Sequence, residues 1–319
     1  MQTDLLISNL TNPAFLFFVL GILAVLIKSD LEIPSTSSKF ISMYLLFAIG
    51  FKGGQELSHE EFSGEIVNSI VLALILSLAI PVYTFFILRR KLNVYDAGAI
   101  AAAYGSVSAV TFVTSVSYLE LLGKSFHGHM VAIMALMEAP AIIAGLFLLS
   151  RFSEEKNTAV SKREVIRHSL TNGSVVLILG SLLIGYFSDA GQAEGIKPFT
   201  NDIFKGFLAI FLLDMGITSG KNLSSLKNYG WFPYAFAILI PLVNGVAVAW
   251  LSALVSPVPE NRFMFGILAA SASYIAVPAA MRIANPKANP GIYLPMSLAI
   301  TFPVNITIGM PLYWAVANW

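Results

Sequence analysis

Ten long apolar runs constrain the fold of this chain more than any other feature. Each run approaches the roughly 20 residues that an α-helix needs to cross a bilayer core. The runs cover residues 13–28, 37–53, 66–88, 97–119, 128–150, 173–188, 201–220, 231–255, 262–284 and 293–316. The alternating hydrophobicity of a membrane β-barrel is absent, so the runs predict an all-α polytopic membrane protein with ten transmembrane helices.

The scarcity of charged residues supports this class. Only 12% of the 319 residues are charged and 56% are hydrophobic, whereas soluble domains carry roughly 25% charged residues. A soluble enzyme and a nucleic-acid-binding protein are therefore excluded, and the net charge of +1 indicates no polyanionic partner. The chain has no cysteine, which excludes disulfides, thiolate metal sites and a cysteine nucleophile.

The basic residues predict the orientation of the chain in the membrane. All but five of the 19 Lys and Arg residues fall on one side of the predicted helices, and that side is expected to be cytoplasmic. The five exceptions are Lys52, Lys124, Lys197, Lys205 and Arg262. Both termini are then expected outside the cell, and residues 151–172 form a cytoplasmic linker. The first run has no basic flank before it and no cleavage site after it, so we interpret it as a retained span.

Internal similarity predicts two related halves. Three pairs match in the same order, at spacings of 166, 168 and 163 residues: FAIGFKGG (47–54) with LDMGITSG (213–220), GAIAAAYGSVSAV (98–110) with GILAASASYIAVP (266–278), and Pro140 with Pro303. Because five helices is an odd number, the second half would enter the membrane inverted, which is the plan of many secondary transporters. The predicted repeats are residues 1–150, with spans 1–5, and residues 173–319, with spans 6–10.

Transporters with this plan divide into a moving core and a stationary gate or scaffold. We predict a core made of spans 3–5 and 8–10 and a gate made of spans 1, 2, 6 and 7. The glycine-rich segments 47–54 and 213–220 would then serve as packing and oligomer surfaces, a role that suits small residues.

The fourth and ninth spans carry small and hydroxyl residues at matched depths. Such residues suit discontinuous helices, whose half-helix N-termini offer free N–H groups and about +0.5 of a charge. The sequence predicts an anion-binding site at these breaks, formed by Gly105, Ser106, Val107, Ser108, Ala272, Ser273 and Tyr274. Pro278 follows the second segment. The alternative is that small residues here only allow close helix packing.

Two acidic residues, Glu138 and Asp214, lie within predicted spans. An acidic residue at the centre of a membrane helix costs about 2.5–3.5 kcal/mol, so a proton or a cation should neutralise it. Thr301 and other oxygen-bearing residues could complete a sodium cage. The predicted sodium ligands are Ser108, Thr111, Glu138, Ser271 and Asn305. Asp214 is assigned a coupling or gating role, and for both acids the alternative is a structural hydrogen bond.

An enzyme of the intramembrane protease type is not expected. A membrane serine protease needs a base beside its serine, and all four histidines lie in predicted loops: His59, His127, His129 and His168. Glu138 and Asp214 also lack the GxGD context of intramembrane aspartyl proteases. No Lys or Arg lies at mid-membrane depth by this span map. We expect no catalytic residues and no cofactor, with sodium as the coupling ion.

Four segments resemble the sodium-dependent bicarbonate transporter family. They are AIAAAYGSVSAVTFVTSVSYLE (99–120), MEAPA (137–141), LAASASYIAVPAAMRIANPKANPGIYL (268–294) and ITFPVNITIGMPLY (300–313). The resemblance implies a fold similar to that of the sodium/proton antiporters and bile-acid sodium symporters, with core and gate domains and a homotrimeric assembly. It also implies that bicarbonate binds between the broken helices and that sodium drives its uptake across the inner membrane of a bacterium.

The chain differs from this family's pattern at three places. Glu138 stands where the pattern has Asp, Tyr274 where it has an acidic residue, and Ala276-Val277 where it has Ser-Gly. The loop at 151–172 is shorter than in the cyanobacterial members, so regulation by a PII-like partner is not assumed. Three alternatives stay open: a symporter of another small anion or monocarboxylate, a cation/proton antiporter that uses Glu138 or Asp214, and a non-transporting ligand sensor.

Overall fold

The computed structural model describes residues 13–153, 167, 171, 173–223, 226 and 229–319. Most of the predicted linker at 151–172 lies outside the described residues, as do His168 and four of the basic residues that predict the orientation: Lys156, Lys162, Arg163 and Lys227. The described residues form helices joined by short connections, and no strand occurs among them.

Helices overlie each predicted apolar run. They are α1 (Pro13–Leu26), α2 (Ser35–Ser58), α3 (Gly64–Leu88), α4 (Val94–Gly105), α5 (Ala109–Leu121), α6 (His129–Phe152), α7 (Gly173–Phe187), α8 (Ala190–Lys197), α9 (Phe204–Leu223), α10 (Phe232–Leu251), α11 (Pro259–Ala270), α12 (Ala276–Ala284) and α13 (Pro290–Ala317). A π-helical turn, Pro198–Asp202, joins α8 to α9, and α13 contains two more, at Met296–Thr301 and Asn305–Gly309. The predicted boundaries hold to within a few residues, except that α2 runs on to Ser58.

The outer surface of the helices is apolar, as a lipid environment requires. Six helical stretches among the described residues are long and apolar enough to cross a membrane: Gly64–Leu88, Val94–Leu121, His129–Phe152, Ala190–Asn222, Phe232–Leu254 and Pro290–Ala317. Large hydrophobic side chains face outward, such as Leu26 at 69% exposure and Ile184 at 61%. The protein is therefore an all-helical, multi-pass membrane protein.

Glycines determine how the helices of the two glycine-rich segments pack. In α2, a Cβ added at Gly54 would lie 2.0 Å from the Leu182 carbonyl oxygen of α7. In α9, a Cβ added at Gly216 would lie 2.1 Å from the Phe18 carbonyl oxygen of α1. Backbones can approach this closely only without a side chain between them. The predicted packing role of both segments is confirmed, and both contacts lie within the chain.

The interrupted pair α4–α5 lies at the centre of the molecule. The most apolar stretch of Val94–Leu121 is 89% buried, a larger share than in the other five membrane-length stretches. α4 packs against α3 and α6, while α5 packs against α11. This burial places the polar residues of the fourth predicted span away from both lipid and water.

Candidate functional site

Two helix interruptions meet at the centre of the molecule. Residues 106–108 separate α4 from α5, and residues 271–275 separate α11 from α12. The backbone is extended at the first residue of each break, with ψ of 168° at Ser106 and 161° at Ser271. Both predicted interruptions are therefore present in the structure.

Hydrogen bonds join the two interruptions directly. The N–H of Ser108 donates to Ser271 Oγ at 3.0 Å. The N–H of Ser273 donates to the carbonyl of Ala103, near the end of α4, at 2.8 Å. Each bond satisfies a backbone group that loses its helical partner where the helix is broken. Each break thus supplies a hydrogen-bond partner to the other.

Serine hydroxyls accept hydrogen bonds from the first turns of the helices that follow the breaks. Ser108 Oγ accepts a hydrogen bond from the N–H of Thr111 at 3.2 Å, at the start of α5. Ser273 Oγ accepts one from the N–H of Val277 at 3.4 Å, at the start of α12. A capping hydroxyl satisfies only one N–H of a helix's first turn. Other N–H groups at these two helix ends can therefore donate to an anion.

Amide side chains hold the carbonyl end of α11. Asn305 Nδ2 donates to the Ala270 carbonyl at 2.8 Å, and Asn244 Nδ2 donates to the Ala269 carbonyl at 3.2 Å. The Tyr313 hydroxyl donates to Asn305 Oδ1 at 2.9 Å. In Asn305, a predicted sodium ligand, the amide nitrogen and the amide oxygen thus each form a hydrogen bond within the protein. Sequence reasoning missed Asn244, although a lone amide in the apolar helix α10 was a visible signal.

Thr301 supports α10 rather than the breaks. Pro241 has no N–H, so the Ala237 carbonyl one turn earlier lacks its helical donor. Thr301 Oγ1 donates to that carbonyl at 2.8 Å and accepts from the Tyr104 hydroxyl at 2.7 Å. Its oxygen is therefore used in helix packing.

A small cavity lies beside the interruptions. Its volume is about 20 Å³, which is room for one water-sized group. It is lined by Val107, Ser108, Ala109, Glu138, Ser174, Ser273, Tyr274, Ile275 and Ala276. The structure therefore brings members of the predicted anion-binding and sodium-binding sets to one place. Ser174, on α7, was not predicted.

Among the described residues that line this cavity, Glu138 alone is charged. The residue is 7% exposed, and its Oε1 has no hydrogen-bond partner among the described residues. A buried carboxylate is costly unless a proton or a cation neutralises it. The structural hydrogen bond considered as an alternative is not found at this oxygen. The geometry favours a bound cation or proton.

The other predicted site residues surround the cavity without lining it. Gly105 packs against α3, where an added Cβ would lie 2.0 Å from Pro81 Cγ. Ser106 is fully buried, and its hydroxyl has no partner among the described residues. Thr111 and Ala272 are also buried, and Thr111 contributes its backbone N–H to the cap on α5.

Asp214 lies outside this cavity. It is 7% exposed on α9 and accepts a hydrogen bond from the Ser38 hydroxyl of α2. The bond joins two helices of the predicted gate. It agrees with the structural alternative for Asp214, and a partner at Ser38 was not foreseen from the sequence.

Two interrupted helices inside an apolar helical shell define a multi-pass membrane protein with a buried polar centre that can hold a site. Residues 13–318 match the sequence model of the Na⁺-dependent bicarbonate transporter superfamily. The chain belongs to this superfamily, which confirms the resemblance found in its sequence. A search of the curated proteins finds no match to it. Membership implies sodium and bicarbonate as the ions and, in general, a non-enzymatic role.

Proposed function

We propose that the protein is a secondary active transporter that carries bicarbonate into the cell by sodium-coupled symport. Superfamily membership implies the two ions. The observation that carries the proposal is the shared cavity, where Glu138 meets serines from both interruptions. No basic residue occurs among the described residues that line this cavity. Backbone N–H groups, hydroxyls and a co-bound cation would therefore hold the anion, in place of Lys or Arg.

The two ions would stabilise each other. Moving a single charge out of water is expensive, and an opposite charge nearby offsets part of that cost. Sodium at Glu138 and bicarbonate at the N-termini of α5 and α12 would form such a pair. We assign the first sodium contacts to Ser108 and Glu138, because both line the cavity. Thr111, Ser271 and Asn305 complete the proposed sodium set.

Helix packing supports the proposed inverted repeat. α1 packs on α9, and α7 packs on α2. If the two halves are exchanged, α1 takes the place of α7 and α2 takes the place of α9. The contact between α1 and α9 then becomes the contact between α7 and α2. In the same way α3 contacts α4 and α6, while α10 contacts α11 and α13. Such symmetry is what alternating access uses, because one half can adopt the conformation of the other.

A contact at the predicted outer face fits a core that moves against a gate. Lys52 Nζ on α2 lies 2.7 Å from Glu120 Oε1 on α5. A cavity of about 180 Å³ lies beside this pair and is also lined by Lys124. In the proposed layout α2 belongs to the gate and α5 to the core. Opening toward the outside would separate the two charges.

We expect a homotrimer in the inner membrane of a bacterium, with both termini outside. This assembly follows from the resemblance. Native mass spectrometry of the protein released from lipid nanodiscs tests it, and a monomer under conditions that retain bound lipid would count against it. Regulation by a PII-like partner is not assumed.

A cation/proton antiporter is the second candidate. The observation that favours it is Glu138 Oε1, which has no hydrogen-bond partner in the described part of the chain. A buried carboxylate of this kind can carry either a proton or a cation. Asp214, which is bonded to Ser38, is less suited to this role.

Flux measurements in proteoliposomes separate these functions. Labelled bicarbonate uptake should rise with an inward sodium gradient and stay near background without sodium. Absence of uptake in both conditions, with folded protein, would overturn the proposal. Proton movement driven by sodium alone would favour the antiporter. Uptake of another small anion or a monocarboxylate in preference to bicarbonate would identify a different substrate. Ligand binding without flux would indicate a sensor.

A further inference from the structure

A second polar cluster lies where the connection after α2 meets the start of α6. Glu60 follows the end of α2, and His127 and His129 flank Gly128 at the start of α6. His129 is the first residue of α6 and is buried, so the prediction that all four histidines lie in loops is wrong for this one. His129 Nδ1 lies 2.8 Å from Glu60 Oε2, and the two imidazole centres are 5.6 Å apart. One ligand atom from each of the three side chains lies within 4.8 Å of the others.

Gly128 explains why these residues meet. A Cβ at this position would lie 2.2 Å from the Gly53 carbonyl oxygen and 2.5 Å from the Leu57 nitrogen. Only glycine therefore lets the His-Gly-His turn lie against the last turns of α2. The Gly128 N–H also donates to Glu60 Oε1. The backbone at Gly128 thus places both histidines next to the Glu60 carboxylate.

Asn261, on α11, forms hydrogen bonds with His127 of the cluster. Its Oδ1 accepts a hydrogen bond from the His127 N–H at 2.9 Å, and its Nδ2 lies 3.0 Å from His127 Nδ1. The same Nδ2 donates to Glu65 Oε1 at 3.0 Å. The two contacts with His127 hold it in place in the cluster.

The side chains present a carboxyl group and two imidazoles. Glu60 Oε1 accepts a hydrogen bond from the Gly128 N–H, and Oε2 lies 2.8 Å from His129 Nδ1. The His129 side chain is 3% exposed, and its Nε2 has no partner among the described residues. The His127 side chain is 41% exposed, so an ion can reach the cluster from the aqueous side.

We propose that Glu60, His127 and His129 form a binding site for a divalent transition metal ion such as Zn²⁺. Two imidazoles and one carboxylate, with a fourth position open to water, are a donor set that zinc accepts. Calcium and magnesium prefer sets made of oxygen alone, so the two nitrogens select against them. The bound ion would tie the connection after α2 to the start of α6.

This site also has a regulatory consequence, which rests on the proposed transport function. α2 belongs to the proposed gate and α6 to the proposed core, and the cluster lies on the predicted outer side. A metal ion that joins them would restrain their relative movement. External zinc is therefore expected to slow bicarbonate uptake.

Calorimetric titration of the purified protein in nanodiscs with ZnCl₂ tests the site itself. One saturable site is expected in the unaltered protein, with no comparable signal from MgCl₂. His127→Ala and Glu60→Gln should each weaken zinc binding by at least about tenfold. His59→Ala is the matched control, because His59 is an exposed histidine one residue before Glu60 and outside the cluster. No saturable zinc binding, or equal weakening by His59→Ala, would overturn the proposal.

Uptake assays with external zinc test the regulatory part. Zinc should reduce sodium-driven bicarbonate uptake in the unaltered protein and in His59→Ala, but have little effect in His127→Ala. Unchanged uptake at a saturating zinc concentration would overturn the regulatory role. The protein could bind zinc through His127 and yet show no bicarbonate flux. That result would support the metal site and refute the transport function.

Discussion

The N–H of Ser108 donates a 3.0 Å hydrogen bond to Ser271 Oγ, although the two residues are 163 positions apart in the sequence. This bond joins the first half of the chain to the second where each has a broken helix. Each break therefore depends on the other for a hydrogen-bond partner of its backbone. A substitution at one break should thus destabilise both.

Ser271→Ala tests this dependence. The substitution leaves the buried Ser108 N–H without its acceptor, so we expect a loss of about 1–3 kcal/mol in the free energy of unfolding. Bicarbonate uptake should fall as well. Ser77→Ala is the control, since Ser77 is equally buried but its hydroxyl only donates to the Leu74 carbonyl of its own helix. Equal losses in the two variants, measured by denaturation in detergent, would show that the bond between the breaks has no special role.

Glu138→Gln tests the proposed cation site. The amide keeps the size of the side chain but removes the charge that sodium would neutralise, so bicarbonate uptake should lose its sodium dependence. Glu138→Asp should retain part of it, because the carboxylate is kept. The measurement is initial uptake against sodium concentration in proteoliposomes. Asp214→Asn is the comparison, because Asp214 does not line the cavity and should leave sodium dependence in place.

Lys52→Gln tests the outer contact between α2 and α5. The pair is about a third exposed, so its loss should shift the conformational equilibrium by up to about 1 kcal/mol, or fivefold. The chain has no cysteine, so Val116→Cys in the adjacent cavity offers a single labelling site. We expect faster labelling by a water-soluble thiol reagent when Lys52→Gln is added.

Lys124→Gln is the matched control for that experiment. Lys124 also lines the cavity, but its partner is Glu260 at 3.4 Å, on α11 of the proposed core. Its loss should leave the labelling rate unchanged. If Lys124→Gln accelerated labelling as much as Lys52→Gln, the effect would be one of local charge and the contact between gate and core would not be supported.

Gly54→Ala tests the close packing of α2 on α7. The new methyl group would lie 2.0 Å from the Leu182 carbonyl oxygen, so the two backbones must separate. We expect a loss of about 1–3 kcal/mol in stability, seen as a lower unfolding temperature. Gly64→Ala has nothing within 4 Å of the added Cβ and should be nearly neutral. A neutral result for Gly54→Ala would mean that this helix pair can spread without cost.

Much of the fold could be predicted because it depends on local hydrophobicity. The apolar runs locate the helices, and the small residues around Ser106 and Ser271 locate the interruptions. The boundaries were less accurate where a helix leaves the apolar region. α2 continues through polar residues to Ser58 because its last turns pack against the turn at Gly128.

The candidate site was predicted only in part. Ser108, Ser273 and Glu138 do meet in one cavity, since matched depths in the two halves indicate a shared level. Asn305 and Thr301 are polar and buried as expected, but they hold carbonyls freed by a helix break and by Pro241. Which carbonyl a buried polar group satisfies depends on helix rotation and crossing, and a linear pattern does not contain them.

The sequence alone determined the class of protein, the positions of its helices, the two breaks and the superfamily. These follow from composition and from short-range pattern, because each helix must satisfy its own backbone within the membrane. The tertiary structure decided which groups meet. It paired Ser108 with Ser271 and brought Glu60 to His129 through a turn that needs glycine at position 128. It also left Glu138 Oε1 without a partner among the described residues. Such contacts depend on the packing of helices that are distant in the chain, so three-dimensional geometry alone reveals them.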